Sequence, residues 1–99
     1  MVKHIVMWKL KDIAEGRTKD ENIKFIKESL DNLTGAIPEI KFLEVGKIIN
    51  GDADFDAVLY SEFESLEDLE IYMNHPEHKK ISGYIAKLRE ERVAGDYIV

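Results

Sequence analysis

The stretch IYMNHPEHKK, residues 71–80, sets two of the chain's three histidines around a proline and a glutamate. Imidazole titrates near neutrality, so His75 and His78 are the first side chains to weigh for proton transfer. With Glu77 they also carry the donor types that bind zinc or nickel. Helical geometry separates them. Glu77 and His78 are consecutive and project in different directions, and no further ligand is fixed nearby, so no metal is expected. His78 precedes Ile81 by three residues and Ile85 by seven, which puts it on the inner face of the last helix. There it can act as a general base beside a carbonyl, or be a buried histidine bonded only to backbone. His75 stands directly before Pro76 and is read as an exposed or capping residue of the helix opening.

Tyr72 lies six residues before His78 on the apolar stripe of a short helix. Its ring belongs to the core and its hydroxyl is the available group. His4 lies in the first strand with Val6 and Trp8, and matters if it shares a cavity with His78. Trp8, Phe42, Phe63 and Tyr84 can line a pocket between sheet and helices, with plain core packing as the alternative. Asp52, Asp54 and Asp56 lack the loop length and closing glutamate of an EF-hand, so they read as a solvated hairpin. No phosphate-binding loop, Ser-His-Asp order, flavin or nicotinamide fingerprint is present, and no cofactor is expected.

The elements that must position these groups follow from periodicity. Lys3–Leu10 is rich in β-branched and aromatic residues and predicts a strand. Thr18–Leu33 predicts a helix, opened by a capping box of Thr18 and Glu21 and striped by Ile23, Ile26, Leu30 and Leu33. Gly35 and Pro38 end it. Two strands, Glu39–Ile49 and Phe55–Phe63, flank the turn-rich NGDAD of residues 50–54. Ser65 and Asp68 make a second capping box, before a short helix through Leu66, Leu69, Tyr72 and Met73. Asn74 is expected to cap a following helix, with Pro76 in its first turn and Ile81, Tyr84, Ile85 and Leu88 on its apolar face. Arg92–Val99 is the last strand. The order β-α-β-β-α-β, with the second helix broken at Asn74, is the ferredoxin-like split-βαβ arrangement of an α+β protein. At 99 residues it makes a single domain, 1–99.

A sheet covered on one side by its own helices should turn polar residues to the other. Here both faces are apolar. His4, Val6, Trp8 and Leu10 alternate with Ile5 and Met7, and Ala57, Leu59 and Phe63 alternate with Val58 and Tyr60. A homodimer through the open sheet face covers the second surface. The net charge of −6 repels phosphate backbones, so no nucleic-acid partner is expected. No basic cluster or apolar run points to a membrane. Absent cysteine and no signal-peptide pattern at the start lead to the expectation of a soluble, cytoplasmic protein.

The segments MVKHIVMWKL, IPEIKFLEVGK, FDAVLYSEFESLEDLEIYMNHPEHKK and RVAGDYIV together resemble the stress-responsive dimeric α/β-barrel (Dabb) domain family over almost the whole chain. The resemblance implies a ferredoxin-like protomer and a homodimer whose two sheets form a barrel with the helices outside. Many members have no known reaction. One branch, the plant polyketide cyclases, closes a poly-β-keto chain by intramolecular aldol condensation without a cofactor. Carried over to this sequence, that branch implies His78 as general base, Tyr72 as the group that orients and polarises the substrate, and His4 in the pocket wall. It also has a histidine where this chain has Ala57, a departure that bears on cyclase chemistry. The expectation is a homodimer binding a small apolar carbonyl or aromatic compound, with cyclase- or isomerase-like chemistry. The alternative is a non-catalytic stress-response or structural dimer module in which NHPEH is only a helix joint.

Overall fold

The computed structural model describes residues 1–99. The long strand β1 (Val2–Leu10) alternates buried and half-buried residues along its whole length. This is the period-2 signature of a strand with one face against a core. A small hairpin follows, β2 (Ile13–Ala14) and β3 (Arg17–Thr18). Its turn residues Glu15 and Gly16 both have positive φ, 50° and 74°, as a tight two-residue hairpin requires. Sequence periodicity missed this hairpin because two-residue strands have no period to detect.

Helix α1 (Lys19–Asp31) begins at the expected capping box: the Thr18 hydroxyl accepts from the Glu21 amide and the Glu21 carboxylate from the Thr18 amide. Ile23, Ile26 and Leu30 are buried along one stripe of α1. One turn of helix, α2 (Leu33–Ala36), leads to β4 (Phe42–Lys47) and β5 (Ala57–Phe63). Helices α3 (Leu66–Asn74) and α4 (Pro76–Ile85) precede β6 (Arg89–Ile98). The predicted order of major elements stands. The middle strands are shorter than expected, and β6 starts three residues earlier.

The sheet is antiparallel throughout, in the order β4-β5-β1-β6. This is the ferredoxin-like α+β topology. Val6, Trp8 and Leu10 from β1 and Ala57, Leu59 and Phe63 from β5 join Ile26, Leu30, Leu69, Tyr72, Ile85 and Leu88 in one core between sheet and helices. Burying each large aliphatic side chain there contributes roughly 1.5–3 kcal/mol. No helix covers the other sheet face. Ile5, Met7, Val58 and Tyr60 are half-exposed on it, and Phe42, Val93 and Tyr97 are exposed. Strand β6 lies at the sheet edge, and its residues from Glu90 onward are all exposed. No helix is long and apolar enough to cross a membrane.

Candidate functional site

Pro76 determines how the site is assembled. A residue before proline is held in extended backbone, so α3 cannot run on into α4. His75 takes that position, with φ −64° and ψ 134°. It ends α3 and caps α4, its Nδ1 accepting from the Glu77 amide at 3.1 Å. The cap is therefore His75 and not Asn74, whose side chain instead donates to the Glu70 carbonyl at 3.0 Å. The sharp joint brings α4 back over α3 and stacks the His78 ring against Tyr72, with centroids 4.4 Å apart.

Tyr72 stands at the centre of the site. Its ring is fully buried, 5.0 Å from the ring of Phe63 and edge-on to His4 at 6.2 Å. Its hydroxyl is the only buried side-chain polar atom without a hydrogen-bond partner. Burial pushes its pKa well above the ordinary tyrosine value, with the Arg92 charge opposing, so it is a neutral donor at physiological pH.

His78 is tied through Nδ1 to the Met73 carbonyl at 3.2 Å. A carbonyl only accepts, so the proton sits on Nδ1 and Nε2 keeps its lone pair. Burial is the main cause that moves the His78 pKa below 6.5, and the positive fields of His4, Arg92 and His75 add to it. The ring is therefore neutral, with a free basic nitrogen, at neutral pH. His4 is only 3% exposed and its Nδ1 lies 2.5 Å from Oδ1 of Asp96, the residue opposite it on β6. The carboxylate accepts a hydrogen bond from Nδ1–H and fixes the ring.

These groups meet at one cavity of about 260 Å³ between sheet and helices. His4, Trp8, Tyr72 and His78 line it, together with Val6, Leu30, Leu59 and Ile85 on its apolar side. Phe63 does not reach the cavity and supports the Tyr72 ring from behind. Tyr84 lies apart from it. Its ring packs on Phe25 at 4.8 Å, its hydroxyl accepts from Arg17, and it lines a groove between α1 and α4. On a helix, six residues place Tyr84 well around the axis from His78. Ala57 is fully buried opposite Trp8 and is not part of the cavity wall.

Ser82, Arg89 and Arg92 also line the cavity, and sequence reasoning missed them. Ser82 and Ile85 follow His78 by four and seven residues, a spacing that marks Ser82 as a neighbour on the same helix face. The arginines and Asp96 are legible only once the pairing of β6 with β1 is known.

Residues 2–99 match the family model described as the stress responsive A/B barrel domain. The chain is 30% identical over 99 residues to the stress-response A/B barrel domain-containing protein DABB1 of Arabidopsis thaliana; the match covers 99% of this chain and 47% of that protein, so the chain spans about half its length. It is 28% identical over 99 residues to olivetolic acid cyclase of Cannabis sativa, covering 97% of this chain and 94% of the cyclase. A crystal structure of a dimeric, ferredoxin-like protein of unknown function from Bacteroides fragilis superposes with a TM-score of 0.85 at 34% identity, covering 99% of this chain and 95% of that one.

Proposed function

Because the chain belongs to the stress responsive A/B barrel domain family, we propose that it is a homodimer that binds a small, mainly apolar carbonyl or aromatic compound between sheet and helices. The observation that carries this reading is the Tyr72 hydroxyl: fully buried, without a partner, in a residue that lines a cavity. Buried polar groups are almost always bonded, and one left unpaired costs roughly 1–3 kcal/mol. A ligand oxygen is the partner it lacks.

The same arrangement suits proton abstraction beside a carbonyl. Nε2 of His78 takes a proton from the carbon next to the carbonyl. The C–H electron pair moves onto the carbonyl oxygen, and the Tyr72 hydroxyl donates a hydrogen bond to the developing enolate. The enolate then attacks a second carbonyl of the same molecule, or is reprotonated elsewhere by the His78 imidazolium. The first course is aldol cyclisation and the second isomerisation, and neither requires a cofactor. The similarity to olivetolic acid cyclase supports the first.

Dimerisation is supported by the uncovered apolar sheet face, by the exposed edge strand β6 and by the dimeric description of the Bacteroides fragilis relative. A cytoplasmic location is supported by the cysteine-free sequence. The test is a thermal-shift screen of small ketones, phenols and aromatic acids on wild type and His78→Ala together. Hits that stabilise wild type and lose at least half their shift in a folded His78→Ala support the site. Equal shifts in both proteins reject it and favour the non-catalytic dimer module.

A further inference from the structure

We infer that the cavity recognises a carboxylate on the bound compound, held by Arg89 and Arg92. This rests on the reading of the cavity as a ligand site and adds the class of ligand. The register of β6 is the first ground. Residues three apart on a regular strand point to opposite faces. Arg92 pairs with Trp8 and Arg89 with Leu10, and both partners face the helices. A register shift between Lys9 and Leu10 takes up the extra residue, Glu90, and turns both guanidinium groups to the cavity side. Bulges that re-aim a side chain are frequent beside functional sites.

The second ground is charge. Lys3, Lys19, Lys27, Lys41, Lys47 and Lys87 each pair with a carboxylate, and Arg17 is bonded to Asn22 and Tyr84. Arg89 and Arg92 make no ion pair and no side-chain hydrogen bond; Lys9, Lys24, Lys79 and Lys80 are also unpaired, but of these six only the two arginines line the cavity. The chain has 20 acidic residues against 14 basic ones, so carboxylates are not scarce. Asp96, the acidic residue of β6 that pairs with His4 of β1, is engaged by that histidine. The cavity wall contains no aspartate or glutamate; Tyr72, Ser82 and the two arginines supply hydrogen-bond donors, while His4 and His78 have their Nδ1 atoms engaged by Asp96 and by the Met73 carbonyl. Two guanidinium groups in a partly apolar cavity suit a planar carboxylate, which each can bind in a fork. A cavity of about 260 Å³ suits an aromatic or short aliphatic acid.

The test uses calorimetric titration with benzoate, phenylacetate and hexanoate, each against its neutral amide, and with inorganic phosphate. Wild type is expected to bind at least one acid about tenfold or more tighter than its amide, as charge-assisted bonds require. Arg92→Gln and Arg89→Gln should each collapse that ratio towards one, and Arg92→Lys should restore part of it. Tyr72→Phe should weaken acid and amide alike and leave the ratio intact. If acids and amides bind equally and both depend on Tyr72, the carboxylate inference is wrong and the ligand site stands. If phosphate competes as well as the best acid, the arginines form a general anion site and the carboxylate assignment falls. If no probe binds at millimolar concentration, both readings fall together.

Discussion

Replacing Tyr72 by phenylalanine separates a site from a core. For a buried hydroxyl that is hydrogen-bonded, deletion destabilises by about 1 kcal/mol; for one without a partner, deletion removes an uncompensated desolvation cost of roughly 1–3 kcal/mol. Tyr72 is of the second kind. Its ring contacts with His78, Phe63 and His4 survive the change. The adjoining cavity lets water relieve part of the cost, so the low end applies. Tyr72→Phe is expected to stabilise the unliganded protein by about 1 kcal/mol, or about 4–8 °C in Tm for a domain of this size. Urea unfolding measures it directly, followed by the fluorescence of Trp8, the single tryptophan, which is buried and lines the cavity. Both proteins must be compared at equal chain concentration, because dimerisation makes apparent stability depend on it. Affinity for any ligand of the cavity should move the opposite way and fall. If Tyr72→Phe instead loses 1 kcal/mol or more with an unchanged m-value, the hydroxyl is already satisfied in the folded protein and the case for a ligand partner collapses.

Burial lowers the His78 pKa, so between that depressed value and 6.5 the unfolded chain binds more protons than the folded one. Stability should therefore fall as pH drops below 6.5 and level off below the folded pKa, with the His78 ring titrating below 6.5 by NMR; a midpoint above 6.5 contradicts a neutral, buried base. Val93→Asp puts a charge on the open sheet face and should shift the light-scattering mass from twice 11.4 kDa to 11.4 kDa. An unchanged mass would mean that the dimer forms elsewhere or not at all. His75→Ala removes the cap of α4 and should cost about 0.5–2 kcal/mol in chemical denaturation while ligand affinity stays within about twofold. A large loss of affinity with normal stability would move His75 into the site.

How much of this was legible in the sequence depended on whether a local rule or a long-range pairing decided the residue. The Thr18–Glu21 capping box, the alternation of β1 and the inward turn of His78 follow from spacing alone, and all are found. The cap of α4 also follows from a local rule, the one that proline imposes on the residue before it. Asn is the better N-cap by preference, yet Pro76 forces the residue before it to be extended, and that steric exclusion outweighs the preference. The displacement of Tyr84 follows from the helical angle between residues 78 and 84. Arg89, Arg92 and Asp96 differ in kind. The strand pairing that sets their faces joins residues about 80 or more positions apart in the chain and includes a bulge that no period reveals.

The sequence departs from ordinary core rules at one place. β1 alternates apolar residues toward the helices except at His4. The stripe of α3 is apolar except for the Tyr72 hydroxyl. β6 turns two cations toward the same layer, where a structural strand would carry aliphatic side chains. Each departure alone has a bland explanation, since imidazoles, tyrosines and arginines all occur at the margins of cores. A structural core satisfies its polar groups internally, and this one does so elsewhere: Asn22 and Ser61 are fully buried and fully bonded. The same protein leaves a hydroxyl and two guanidinium groups without partners around a single cavity. Folding alone gives no reason for the buried Tyr72 hydroxyl to stand unpaired there, because it lowers stability relative to an apolar substitute; Arg89, half-buried, and Arg92, exposed, add two cations beside it. Their convergence on one cavity is accounted for if the missing partner is a molecule that the chain does not encode.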